Sequence, residues 1–104
     1  MVDFGIPSGP EQAGVRPAIL MQDDALTPAL TTIIVVPLTT NLKRLLAQPT
    51  LLLHAGEGGL PQDSVALCFQ VQVRGKARLQ SRLGVLTPER FEQVRNGVLA
   101  VLGL

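Results

Sequence analysis

The chain contains no tyrosine and no tryptophan, one cysteine, one histidine and three phenylalanines among its 104 residues. Each shortage excludes something. With aromatic residues at 3% and hydrophobic residues at 46%, the core must be built from aliphatic side chains. A lone cysteine makes no internal disulfide, and Cys68, set between Leu67 and Phe69, reads as a small core residue rather than a reactive thiol. A single histidine rules out an imidazole pair for acid–base chemistry, and His54 lies in an apolar segment that suits a structural or surface role. Neither sign of charge dominates, since nine Lys and Arg face eight Asp and Glu for a net charge of +1. With a pI near 8.0, bulk electrostatics announce no nucleic-acid binder, and any such function must come from local placement. The longest apolar run, Thr31 to Leu38, is far short of the roughly 20 residues that cross a bilayer. The N-terminus is acidic, so a cytoplasmic protein without membrane contact is expected.

What is present fits one domain spanning 1–104, because a chain of this length builds one modest core. Its mean hydropathy of +0.33 is high enough that some apolar surface should be covered by a partner, here expected to be a second copy. Glycine and proline crowd the stretch from Gly5 to Pro10, which reads as a loop. Arg16 to Gln22 reads as a strand, followed by a turn at Asp23-Asp24 and a loop at Thr27-Pro28. The Asp pair lacks neighbouring ligands for a metal site, so no metal and no cofactor are expected. Thr31 to Leu38 is too continuously apolar for a strand with one wet face and should lie centrally, buried on both sides. Asn41 to Gln48 suggests a short helical turn or loop with Lys43 and Arg44 exposed, and Pro49 to Ala55 another strand. Ser64 to Val73 reads as a longer strand, with Gln70 and Gln72 on the face opposite Phe69, Val71 and Val73. Gly75 should turn the chain into a short strand ending at Leu79.

The C-terminal helix is clearer. Thr87 is a suitable N-cap, Pro88 suits the first helical position and Glu89 complements the positive end of the helix dipole. Leu86 and Phe91 can form a hydrophobic staple. Phe91, Val94, Val98, Val101 and Leu102 make one apolar stripe. Short strands, glycine-rich turns and one terminal helix predict a mainly β fold, a small bent antiparallel barrel covered by that helix.

The residues able to do chemistry lie in two segments, Glu11-Gln12-Ala13-Gly14-Val15-Arg16-Pro17 and Val35-Val36-Pro37-Leu38-Thr39-Thr40. Cleaving a phosphodiester in RNA without a metal needs a group to draw the 2′-hydroxyl proton, a cation for charge developing on the phosphoryl oxygens and help for the leaving oxygen. Arg16 is the natural cation, because its planar fork grips phosphate oxygens while its high pKa makes it a poor base. Thr39 and Thr40 offer positioning hydroxyls, and Glu11 is the carboxylate near Arg16 in sequence. Each residue also has a plain reading as strand edge, turn start or ion-pair partner. Arg74, Lys76, Arg78 and Arg82 form a basic stretch with no acid between them, which could equally be a solvated face.

The order of Glu-Gln-Ala-Gly-x-Arg-Pro, Val-x-Pro-Leu-Thr-Thr, Gly59-Leu60, Asp63-Ser64-Val65, Gln70-Val71, Arg78-Leu79, Leu83-Gly84 and a final amphipathic helix resembles the MazF/PemK toxins over nearly the whole chain. The resemblance implies an SH3-like barrel of the CcdB/MazF type, a homodimer, sequence-selective cutting of single-stranded RNA without a metal, and a cognate MazE-like antitoxin. It implies catalytic roles for Arg16, Thr39 and Glu11, with Gln12, Thr40, Gln70, Arg74, Lys76 and Arg78 facing RNA. Two departures stand out. Met1-Val2-Asp3-Phe4 matches only the end of the family's usual first strand, so that strand is expected to be cut short. The absence of Tyr and Trp removes the best stacking surfaces for unpaired bases. A rival reading is a non-enzymatic binder, either a CcdB-like toxin acting on DNA gyrase or a toxin-like subunit without activity.

Overall fold

The computed structural model describes residues 1–4, 14–22, 25–46 and 49–104. The glycine- and proline-rich loop, Glu11, Gln12, the Asp23-Asp24 turn and the end of the 41–48 segment lie outside the described residues. The strands are β1 (Val2–Asp3), β2 (Val15–Arg16), β3 (Ala18–Leu20), β4 (Thr32–Thr39), β5 (Thr50–Leu53), β6 (Ser64–Leu67) and β7 (Gln72–Gly75), and the chain ends in helix α1 (Pro88–Leu102).

All pairings are antiparallel. One edge of β4 carries β3, while the other carries β7 along its first half and β6 along its end, and β5 lies outside β6. The expected antiparallel architecture with a C-terminal helix is therefore present. Its strands form two sheets rather than one closed ladder: β1 and β2 pair separately. The gap is bridged by a single Val2–Leu79 pair and by the Gln80 N–H donating to the Met1 carbonyl at 2.9 Å. The short first strand is thus paired on both sides, with β2 and with the chain beyond β7.

β4 is central because both its faces are covered. Val36 and Leu38 join Ile19, Leu53, Leu60, Ala66, Cys68, Val94 and Val98 in a cluster beneath α1. Ile33 and Val35 point the other way, into a smaller cluster with Val2 and Phe4. Two-sided burial holds from Val35 to Leu38 and fails at Ile34, which is 41% exposed.

The expected single strand from Ser64 to Val73 is broken. A 3-10 turn at Cys68–Gln70 separates β6 from β7, with the Val71 N–H donating to the Cys68 carbonyl at 3.3 Å. The cause is the helix. Cys68 is buried and its Sγ lies 3.7 Å from the Val94 carbonyl. This approach requires Gly97, where a Cβ would stand 2.7 Å from that sulfur. The turn shifts the alternation, leaving Phe69 and Val73 exposed and drawing Gln70 and Gln72 partly inside, the reverse of the sequence expectation.

Helix α1 begins as predicted, with Thr87 Oγ1 accepting from the Arg90 N–H at 3.3 Å. Leu86 and Phe91 both pack against the core. It ends at Gly103 in the left-handed conformation, where Leu104 N–H reaches the Leu99 carbonyl at 2.9 Å. The apolar stripe is buried at Val94 and Val98 but exposed at Val101 and Leu102. Arg90, which sequence patterning did not single out, donates to Glu57 Oε1 at 2.8 Å, to Gln93 Oε1 at 2.7 Å and to the Leu52 carbonyl. It ties the helix to β5 and to the turn after it. Glu57 also accepts from the His54 backbone N–H at 2.7 Å, and that bond, followed by Arg90, holds its carboxyl below the ordinary value.

Gly97→Ala should lower stability. The helix propensity gained is about 1 kcal/mol, whereas forcing a methyl against the Cys68 side chain costs about 1–3 kcal/mol. The thermal midpoint should fall, and Cys68→Ala in the same chain should recover part of the loss. A midpoint unchanged in Gly97→Ala would refute the close approach. Glu57 makes a second prediction. Because its folded pKa is lowered, its contribution is present above the ordinary glutamate value of 4.5 and is lost as pH falls through the folded value. The wild-type midpoint should therefore drop more steeply on acidification through that window than that of Glu57→Gln, and parallel profiles would count against the carboxylate's role.

Candidate active site

Pro17 separates β2 from β3 without turning the chain away from β4. Its carbonyl accepts from the Leu38 N–H at 3.1 Å, so the register Ala18 with Pro37, Ile19 with Val36 and Leu20 with Val35 continues outward. Extended past Ala18 and Pro37, the same register would bring Arg16, which pairs with Val2 of β1, level with Thr39. Thr39 thus lies at the end of the central strand, and Arg16 at the end of β2.

Thr39 is half-buried and pairs with Val65 of β6 on its other side. Its Oγ1 accepts from the Asn41 N–H at 3.2 Å. That bond fixes the hydroxyl oxygen and leaves its proton uncommitted among the described residues. Asn41 Oδ1 accepts in turn from the Lys43 N–H at 3.2 Å, starting a 3-10 turn at Leu42–Arg44. Thr40 is exposed beside it, as are Arg16 and His54. Glu11 and Gln12 lie outside the described residues.

Alternation decides which other residues share this face. Arg16, Ala18 and Leu20 alternate along one side of β2 and β3, as Ile33, Val35, Pro37 and Thr39 do along β4. Gln72 pairs with Val35 and Arg74 with Ile33, so both belong to that face. Arg74 is held there by its guanidinium, 5.7 Å from the Phe4 ring centroid, and by Nη1 donating to the Val73 carbonyl at 2.9 Å. From Ile33 to Thr39 the strand rises roughly 20 Å, so the backbones of Arg74 and Thr39 stand at separated points of one surface, while the Arg74 side chain reaches back over Phe4. Lys76 is turned aside, its Nζ donating to the Thr27 carbonyl at 2.8 Å. Arg78 lies exposed in the 3-10 turn Lys76–Arg78, where a short strand was expected before the Leu79 bridge.

Beside Arg74 a concavity of about 290 Å³ is lined by Phe69, Gln70, Val71, Gln72 and Arg74. Phe69 was assigned to the core by alternation. The turn at Cys68–Gln70 brings it out instead, with Arg44 over its ring at 5.9 Å. No periodicity could have shown this, since the phase change is imposed by the helix packed against Cys68. Among the described residues, no three His, Cys, Asp or Glu gather as metal ligands, and no helix is long and apolar enough to cross a membrane.

The family model of PemK-like, MazF-like toxins of type II toxin-antitoxin systems matches residues 1–102. The endoribonuclease MazF of Staphylococcus saprophyticus is 28% identical over 104 residues, covering all of this chain and 87% of that protein. Among solved structures, an Mtb toxin is 27% identical with a TM-score of 0.73, over 83% of this chain and 91% of its own. MazF from Deinococcus radiodurans, 23% identical, shares the fold with a TM-score of 0.79 over 99% of this chain and 90% of its own. An endoribonuclease from a mycobacterial species, solved with its cognate antitoxin and 20% identical, shares it with the same TM-score of 0.79, over 99% of this chain and 88% of its own. With the family model matched from residue 1 to 102, the chain belongs to the PemK-like, MazF-like toxins of type II toxin-antitoxin systems.

Proposed function

We infer that the protein is a sequence-selective endoribonuclease toxin that cuts single-stranded RNA in the cytoplasm without a metal ion and is neutralised by a cognate MazE-like antitoxin. The observation that supports this reading is the β3–β4 register, which continues through the Leu38 N–H to Pro17 carbonyl bond toward Arg16 and Thr39. In the reaction, a ribose 2′-oxygen attacks the adjacent phosphorus and the bond to the 5′-oxygen breaks, leaving a 2′,3′-cyclic phosphate and a 5′-hydroxyl. The 2′-hydroxyl proton goes to a base, for which Glu11 is the carboxylate nearest to Arg16 in sequence, and the leaving 5′-oxygen takes up a proton. Arg16 stabilises the charge gathering on the phosphoryl oxygens. Thr39, its oxygen fixed by Asn41, donates its proton to orient the reacting oxygen or a phosphoryl oxygen. Gln12, Thr40, Gln70, Arg74 and Arg78 hold the flanking nucleotides, whereas Lys76 is engaged by the Thr27 carbonyl.

The protein acts as a homodimer. Support comes from the apolar groove along α1, lined by Met21, Ile34, Val71, Phe91, Val98 and Leu102 among others, and from the exposure of Ile34, Val101 and Leu102. RNA and an acidic antitoxin segment then compete for the face bearing Arg16 and Arg74, and both should weaken with salt.

The purified protein should cut single-stranded RNA in the presence of EDTA. Arg16→Ala should abolish cutting with the fold intact, and Thr39→Val should slow it by about 10²-fold or more. Strict dependence on a divalent ion, or full activity in Arg16→Ala, would remove the mechanism and favour the non-enzymatic toxin. Sedimentation at micromolar concentration should show a dimer. A strict monomer that cuts RNA would exclude the need for a second copy, and simultaneous binding of RNA and antitoxin would exclude a shared face.

A further inference from the structure

Beyond Thr39 the chain makes two turns in succession, each closed by a side-chain oxygen. Thr39 Oγ1 accepts from the Asn41 N–H at 3.2 Å, and Asn41 Oδ1 accepts from the Lys43 N–H at 3.2 Å. The Arg44 N–H then donates to the Asn41 carbonyl at 3.0 Å, completing the 3-10 turn at Leu42–Arg44. At the far end of that turn the Arg44 guanidinium lies 5.9 Å from the Phe69 ring centroid, so the segment is held to the sheet at both ends. Asn41 itself is exposed. Packing therefore does not fix its backbone, and the direction of its N–H depends on these bonds. Asparagine suits the position because its short side chain bonds the backbone two residues on. Alanine there would leave the Lys43 N–H to water and the backbone at 41 free to turn away from Thr39.

A threonine hydroxyl has one proton to give and two lone pairs to offer, and free rotation lets it act in either sense. The Asn41 N–H occupies one lone pair and fixes the oxygen, and an oxygen that accepts one hydrogen bond gives its own proton more strongly. We propose that Asn41 is a positioning residue for RNA cleavage: its side chain closes the turn that aims its N–H at Thr39 Oγ1, so that the Thr39 hydroxyl acts on the scissile phosphate as a donor. Negative charge on the phosphoryl oxygens grows as the 2′-oxygen attacks, and a donor aimed at one of them is worth more in the transition state than in the bound substrate. Losing that aim lowers kcat and leaves KM nearly unchanged. The inference rests on the endoribonuclease reading and on Thr39 within it, and deepens both by naming the sense of the Thr39 hydrogen bond and the residue that sets it.

The test uses the full chain and one single-stranded RNA oligonucleotide that the unaltered chain cuts in EDTA, with kcat and KM measured separately. Asn41→Ala should lower kcat about tenfold, less than the outright loss of a transition-state donor, with KM within about twofold. Its melting midpoint should stay within about 4 °C of the unaltered chain, as for an exposed substitution. Asn41→Ser keeps a side-chain oxygen able to accept from the Lys43 N–H and should recover kcat to within about threefold. In Thr39→Val, which has no hydroxyl to aim, adding Asn41→Ala should slow cutting by less than about twofold further, read with protein in excess over RNA. Where Thr39→Val falls below detection, the comparison of Asn41→Ala with Asn41→Ser decides alone. An unchanged kcat in Asn41→Ala, a loss carried by KM, no recovery in Asn41→Ser, or the same tenfold loss in the Thr39→Val chain would each overturn the proposal. Full activity in Thr39→Val would overturn it too, with the ribonuclease itself still active. Failure of the unaltered chain to cut any RNA is a different outcome and would overturn the endoribonuclease reading.

Discussion

Everything in this fold is referred to β4, whose two buried faces carry separate clusters. One face receives α1 through Val36 and Leu38, the other receives Val2 and Phe4 through Ile33 and Val35. A strand buried on both sides cannot slip register, because a shift by one residue would exchange the two sets of side chains. That constraint is what gives the candidate site its geometry. Thr39 is a half-buried residue at the end of that strand, and its position is fixed by the ladder with β6 and by the buried residues before it.

The helix acts on the opposite side of the same sheet. Its close approach through Gly97 presses on Cys68 and breaks the strand that follows Ser64 into β6, a turn and β7. The consequence appears on the other face, where Phe69 and Gln70 line a concavity beside Arg74. Core packing and the shape of that concavity are therefore linked. Arg90 reinforces the link by joining α1 to Glu57 and to the backbone of β5. A second close approach, between the Gly58-Gly59 turn and Leu83-Gly84, explains why two glycines far apart in the chain are both needed, since a Cβ on Gly59 would stand 2.2 Å from the Leu83 carbonyl oxygen.

The near-zero net charge is compatible with binding a polyanion because the cations are sorted by the backbone. Arg16 and Arg74 belong to one face, whereas Lys76 is spent on the Thr27 carbonyl. The basic run in the sequence overstates the charge available to one stretch of RNA. Phe4, an apolar core residue, provides the ring that aims Arg74 along that face.

The sequence by itself determined the features that depend on local chemistry or on a strong apolar signal. The capped start of α1, the central strand, the burial of Cys68 and the glycine-rich turn before Leu60 belong to this group. Neighbours along the chain, together with the drive to bury aliphatic groups, are sufficient to specify them. Tertiary structure decided the register of β3 with β4, which depends on pairing between segments separated by an irregular loop. It also decided the inversion of Phe69 and Gln70, because the turn that shifts their alternation exists only where Gly97 admits the helix against Cys68. Alternation read along one strand assumes an unbroken ladder, and contact from another element is what breaks it.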